Sequence, residues 1–243
     1  MKFNVSSTQL FGQLTAVSRV IASKNSLQIL EDVLFDLNGN VLTLTASDGE
    51  TTIRTSLDVE NAEGAGKVAI GAKLLIETLK EYSEQPLTFT IGEENFAVTM
   101  VSQNGTYSFV GVNGNEYPEM PAEEDGSHTI TMPAKGLLEA INKTLFCTAD
   151  DELRPVMNGI YFDATQECLT IVASDGHKLV RNRVFTIKVE QPAAFILPKK
   201  PAGLLKNMLA KDESDVVIRF DNRNAQLLFG DNTIFCRLIE GRY

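Results

Sequence analysis

Ala46-Ser47-Asp48-Gly49 returns as Ala173-Ser174-Asp175-Gly176, 127 residues further along a chain of 243. The same offset aligns Phe35-Asp36 with Phe162-Asp163, Leu42-Thr43 with Leu169-Thr170, Arg54 with Arg181 and Lys73 with Lys200. It also aligns Thr106 and Gly114 with Thr233 and Gly241, so the matches reach the end of each half. A period this long exceeds the roughly 20 to 50 residues of solenoid units and has the size of a globular domain. The chain therefore reads as one domain duplicated in tandem. Between the copies, Gly111 to Gly126 is a run of breakers and acids with little to bury, which is read as the linker. It divides the chain into domains of residues 1–122 and 123–243.

Each half starts with a short alternating strand, Lys2 to Val5 and Thr129 to Met132. A helix pattern follows: Leu10, Leu14, Val17 and Ile21 after a capping Ser6 or Ser7, and Leu137, Leu138, Ile141 and Leu145 after Pro133. A second helix is marked by Leu74, Leu75, Thr78, Leu79 and Tyr82 in the first half, and by Leu204, Leu205, Met208 and Leu209 in the second. Alternating or apolar runs such as Val41 to Ala46, Leu87 to Ile91, Phe96 to Met100, Gly159 to Phe162, Leu169 to Ala173 and Val216 to Phe220 are read as strands. Asn-Gly and Asp-Gly turns split them. Each domain is α+β, with mostly antiparallel strands and two helices.

At 43% hydrophobic and 22% charged the composition is that of an ordinary globular chain, with apolar residues enough for two cores. Cys147, Cys168 and Cys236 are odd in number and lack metal-ligand spacing, which points to core residues in a reducing compartment. Two His residues leave little material for a metal site, and no cofactor is expected. No stretch approaches the roughly 20 apolar residues of a membrane span, and the N-terminus has no signal-like apolar region, so a cytoplasmic protein is expected.

The net charge of -10 argues at first against nucleic acid, but its distribution argues the other way. The four helical segments, Ser6 to Lys24, Gly71 to Glu84, Pro133 to Cys147 and Pro198 to Lys211, hold ten basic and four acidic residues. They carry +6, and the rest of the chain carries -16. No acid occurs from Met1 to Leu30 or from Gln191 to Ala210. Helices sharing one side would attract a polyanion there, although Lys is also common on any solvated helix face.

Met1-Lys2-Phe3 before a Leu-rich helix, Lys24 before Leu27-Gln28-Ile29-Leu30, Arg154-Pro155-Val156-Met157-Asn158-Gly159, the run Ala173 to Leu179 and Gly241-Arg242-Tyr243 together resemble the bacterial sliding clamp family, the beta subunit of DNA polymerase III. The resemblance spans the whole chain. It implies domains built of paired antiparallel sheets backed by two helices, and protomers of three such domains closed head to tail into a ring around duplex DNA. Contacts that slide should go to the phosphate backbone and read no sequence. The third domain is expected to be absent from this chain, and without it the standard homodimer ring is not expected to close.

By matching position, the resemblance implies DNA contacts at Lys24 and Lys73, at Arg154 in the domain-two loop, and at Lys199 and Lys200 where the second helix of domain two begins. Asp151, Pro155 and Val156 replace polar or aromatic contacts of other clamps, so that loop is expected to contribute less. It also implies a hydrophobic pocket for short linear motifs of polymerases, the clamp loader and repair proteins, with Met157, Ser174, Gly176, His177, Lys178 and Leu179 as this chain's share. The repeat sharpens that expectation. After the shared Ser-Asp-Gly turn, Glu50-Thr51-Thr52 in one half becomes His177-Lys178-Leu179 in the other. Shared residues are candidates for fold, divergent ones for function. Tyr107 and Phe109, alternating on a strand, match the apolar side chains with which the family seals the protomer interface; core packing is the other reading.

An enzyme would have to build its site from Asp175 and His177, or from a Cys and one of two His residues, with no nucleophile elbow and no phosphate-cradling Gly loop. A non-catalytic processivity factor is the expected function. A peptide-binding adaptor without DNA encirclement is the alternative.

Overall fold

The computed structural model describes residues 1–119 and 128–243, except for the side chain of Lys211. The chain divides into two compact units, residues 1–120 and 121–243. The expected boundary at 122/123 and residues 120–126 of the expected linker lie outside the described residues.

The first unit runs β1 (Lys2–Ser6), α1 (Ser7–Ser18), β2 (Asp32–Asn38), β3 (Val41–Ser47), β4 (Thr51–Asp58), β5 (Glu60–Glu63), β6 (Gly66–Gly71), α2 (Ala72–Lys80), β7 (Pro86–Ile91), β8 (Ala97–Ser102) and β9 (Gly105–Asn113). The second runs β10 (His128–Pro133), α3 (Ala134–Thr144), β11 (Gly159–Ala164), β12 (Leu169–Ser174), β13 (Leu179–Val184), β14 (Ala193–Pro198), α4 (Lys199–Met208), β15 (Asp215–Phe220), β16 (Asn224–Phe229) and β17 (Asn232–Arg237). Strands of the first unit are ordered β4-β3-β2-β6 and β9-β8-β7-β1-β5, the two rows joined by β6–β9 pairing; those of the second are ordered β13-β12-β11-β14 and β10-β15-β16-β17. All of these pairings are antiparallel. The duplication is therefore visible in topology as well as sequence, with β5 the one strand that has no counterpart among the described residues.

Each helix pair packs side by side against the strands of its own unit. Leu10, Leu14 and Val17 of α1 recur about once per turn and are fully buried, as is the stripe Leu137, Ala140 and Ile141 of α3. The Ser6 hydroxyl caps α1, accepting the amide of Gln9 at 3.2 Å, while the Glu84 carboxylate accepts from the Ser6 hydroxyl and from the hydroxyl and amide of Thr8. Those hydroxyls hold Glu84 below the usual carboxylate range. In the cores, Phe3 stacks on Phe89 at 5.2 Å in the first unit, and Phe162 stacks on Phe195 at 4.8 Å in the second.

Two expectations shift. Leu74 is exposed, because successive residues of a helix stand about 100° apart and the nine-residue α2 buries only the narrow stripe of Ala72, Leu75 and Leu79. The strand β9 continues through Gly111 to Asn113, into the expected linker. A Cβ at Gly111 would stand 2.5 Å from Val68 Cγ2 and 2.9 Å from the Phe96 carbonyl oxygen. This glycine permits a close approach of β9 to β6 and does not break the strand.

Candidate functional site

The repeated tetrapeptide builds one turn twice. In the first unit, the Ser47 hydroxyl donates to the Thr51 carbonyl and accepts the Gly49 amide, while one oxygen of Asp48 accepts the amides of Glu50 and Thr51. In the second, Ser174 donates to the Lys178 carbonyl and accepts the Gly176 amide, and Asp175 accepts the amides of His177 and Lys178. Both glycines need positive φ, +94° at Gly49 and +88° at Gly176, so the shared residues are those the turn's geometry requires.

What surrounds the turn differs. Thr51 and Thr52 are buried at the start of β4, whereas His177, Lys178 and Leu179 are exposed, Leu179 to 64%. Lys178 Nζ is 3.1 Å from the second oxygen of Asp175 and 5.9 Å from the ring centroid of Phe146. Arg154 donates from Nε to Asp151 at 2.8 Å, and its Nη1 lies 2.6 Å from where a Gly176 Cβ would stand. Half-buried Met157 closes the same loop: its amide donates to the Arg154 carbonyl and its carbonyl accepts from Ala149. Of the expected pocket residues, Ser174, Gly176, His177, Lys178 and Leu179 thus share one turn, and the Arg154–Met157 loop is brought against it. Arg154 belongs with this turn. Phe146 and Leu153, 63% and 92% exposed, escape a sequence reading because the apolar period of α3 and the loop composition both hide them.

Asp175 is held far below the usual carboxylate range by the two backbone amides, with Lys178 assisting. An aspartate whose folded pKa is depressed contributes stability that is present above its unfolded pKa, about 3.9, and is lost as pH falls through the folded value. Protection of the His177 and Lys178 amides, measured against their intrinsic exchange rates, is therefore expected to fall on acidification below about pH 4, and Asp175→Asn to remove most of that dependence; an unchanged protection profile in the variant would show that Asp175 does not hold the turn.

Asp175 and His177 do not project together from a strand. They lie in the turn, and the carboxylate is already engaged by two amides and an ammonium. All three cysteines are buried, and no cluster of three or more His, Cys, Asp or Glu fit to hold a metal occurs among the described residues. No described helix is long and apolar enough to cross a membrane.

Lys24, just past the end of α1, and Lys73, in the first turn of α2, are both exposed. Lys73 lines a shallow groove of about 360 Å³ with Ile21, Ser23, Glu31 and Ile76, and Lys24 follows Ser23 in the chain. Neither makes an ion pair among the described residues. Lys199, by contrast, is 2.5 Å from Asp150. Lys200 is exposed on the first turn of α4.

Phe109 does not offer an exposed apolar side chain. It is 7% exposed and faces the core with Val98 and Met100, because i and i+2 share a face and the inward face of β9 is its own. Tyr107, at 39%, packs edge-on to Tyr82 at 6.0 Å, and the most exposed apolar residue of the strand is Val110 on the opposite face, at 87%. Over Gly105 to Val110 the strand pairs only with β8 among the described residues, which leaves its other edge of backbone donors and acceptors open.

The duplicated architecture agrees with family models that match each repeat separately. Residues 1–121 match the N-terminal domain of the DNA polymerase III beta subunit, and residues 131–243 its central domain. The chain belongs to this family. The Beta sliding clamp of Halalkalibacterium halodurans is 27% identical over 93% of the chain and 62% of its own length, and that of Synechococcus elongatus is 28% identical over 100% and 66%. The crystal structure of a DNA polymerase III beta subunit of Eubacterium rectale superposes with a TM-score of 0.93 at 25% identity, and the sliding clamp of Bartonella birtlesii bound to griselimycin with 0.90 at 25%; each is covered to 66% of its length. The chain thus spans just under two thirds of the length of these beta subunit relatives.

Proposed function

We propose that this chain acts in a DNA sliding clamp: a non-catalytic, cytoplasmic processivity factor that surrounds duplex DNA without reading its sequence and tethers a replicative polymerase, a clamp loader and repair proteins through short linear motifs. The observation that carries the reading is the coincidence of two family domains with two helix pairs that are net basic in a chain of net charge -10. Helices of that sign suit phosphates, and the acid-rich remainder repels them. Lys24 and Lys73 are its principal DNA contacts, with Lys200 in support. Lys199 and Arg154 must first exchange Asp150 and Asp151 for phosphate. The turn at Ser174 to Leu179, with Met157, is the motif pocket. Tyr107 and the open edge of β9 meet the neighbouring protomer of a head-to-tail homodimer ring, and the clamp domains divide at 122/123.

The pairing of Lys199 and Arg154 with acids favours one second reading, a peptide-binding adaptor that does not encircle DNA. Retention on closed circular against linear duplex separates the two. Salt-resistant retention on circles that disappears on linearisation is expected of topological linkage; salt-labile retention on both reports an open form; absence of retention on either leaves the adaptor.

A further inference from the structure

In the first unit β1 is covered on both edges, by β7 and by β5, with Lys2 opposite Glu63 and Asn4 opposite Glu60. Lys2 Nζ and Glu63 add an ion pair of 3.0 Å across the β1–β5 seam. The offset of 127 residues carries β1 onto β10, and β5 onto Ile187 to Glu190. In the second unit that segment is tied elsewhere: the Val189 amide donates to the Thr165 carbonyl at 3.1 Å, and the Gln166 side-chain amide to the Glu190 carbonyl at 3.1 Å. Both bonds hold it against the turn between β11 and β12. Among the described residues β10 pairs with β15 alone, which leaves its other edge open.

Where the first unit has a seam, the second has a groove of about 380 Å³. Thr129 and Ile130 line it from β10, Val189 and Glu190 from the detached segment, and buried Ala164 and Phe220 close its base. That volume falls among those of sites that take a ligand, roughly 300–1,000 Å³. The groove shares no lining residue with the Ser174 to Leu179 turn or the Arg154 to Met157 loop.

Register decides what fits. Thr129 and Thr131 stand where Lys2 and Asn4 face β5, so theirs are the main-chain groups turned to the groove. Both side chains are exposed, and Ile130 between them is buried. A strand laid antiparallel here therefore sets alternate residues beside Thr129 and Thr131 at the surface, and the residue between them against Ile130, Ala164 and Phe220. With Thr129 in the place of Lys2, nothing opposite calls for the carboxylate that Glu63 supplies in the first unit. Threonine suits threonine across a strand pair, and a β-branched apolar residue suits the base.

We propose that the open edge of β10 takes an extended segment of a partner protein as an added strand, uncharged and β-branched in the pattern Thr-Val-Thr, in the position that β5 fills in the first unit.

The test uses the full 243-residue chain and the capped pentapeptide Val-Thr-Val-Thr-Val, followed by amide chemical shifts and amide exchange. The peptide is expected to shift and protect the amides of Thr129 and Thr131 and to leave those of Ser174 to Leu179 unmoved. N-methylation of its two Thr residues removes the donors that face β10 and should weaken binding about tenfold, as suits the loss of one or two main-chain hydrogen bonds. Thr131→Pro removes a donor from the other side of the same seam, at an edge position that tolerates proline, and should weaken binding similarly. Ala193→Met fills the groove from its lining while every β10 donor stays in place, and should abolish binding. Equal binding of the methylated peptide, unchanged affinity in both variants, or no perturbation of Thr129 and Thr131 at millimolar peptide would overturn the proposal. Concentration-dependent dimerisation in sedimentation velocity that Thr131→Pro removes would give the edge to a second copy of the chain and overturn it as well.

Discussion

Reversing the charge of Lys24 and Lys73 together, Lys24→Glu with Lys73→Glu, is expected to weaken duplex binding and to flatten its salt dependence. Each phosphate left without its lysine takes about 0.9 off the slope of log affinity against log salt, so two take off about 1.8. Across a fourfold change in salt that difference amounts to roughly tenfold in relative affinity. The slope matters more than the affinity at any one salt concentration, because a general weakening of the positive field shifts affinity, while an unneutralised phosphate changes the number of counterions released. Lys67→Glu is the control: Lys67 lies 3.7 Å from Asp36 on the sheet, outside the helices, and its reversal should leave the slope unchanged. Fluorescence anisotropy with a short duplex at several salt concentrations reads both quantities. A double variant with the parent slope would remove the two lysines from the DNA surface.

A second large effect is expected from the core of the first unit. Phe89 is fully buried, stacked on Phe3 and 6.3 Å from Phe35. Truncation, Phe89→Ala, leaves a cavity that its neighbours only partly fill and costs about 3–5 kcal/mol. For a domain of ordinary stability, about 5–15 kcal/mol, that is roughly a fifth of the total or more. The second unit has a separate aromatic cluster of Phe162, Phe195 and Phe220, with none of these side chains shared. Heating the variant should therefore resolve two calorimetric transitions, the earlier from the first unit, with the turn at Ser174 to Leu179 still protected from exchange between them. A single transition, displaced as a whole, would show that the units unfold as one.

The duplication, the four helices and most strand cores are legible in the sequence because each rests on local periodicity: Leu10, Leu14 and Val17 for a helix, Leu169 to Ala173 for a strand. Gly111 misleads for a physical reason. A glycine that breaks a strand and a glycine that lets two backbones meet are the same letter, and only the 2.5 Å approach to Val68 tells them apart. Phe109 misleads similarly, since alternation identifies which residues share a face but not which face is inward. At the site, the turn residues can be read from the divergence of the two copies. The arrival of Arg154 and Phe146 beside that turn cannot, because loop and turn residues some 20 to 30 positions apart meet without leaving a periodic trace.

The open edge of β9 has a further consequence, for the life of the chain outside any assembly. A row of unpaired backbone groups over Gly105 to Val110 is a template for any extended segment, including the same strand of another copy. The strand carries no charged side chain to discourage such pairing, and Val110 adds an exposed β-branched surface beside it. If that edge takes the neighbour proposed above, it is equally a nucleus for misassembly, and the rate at which the neighbour arrives would decide which of the two fates a newly folded chain meets.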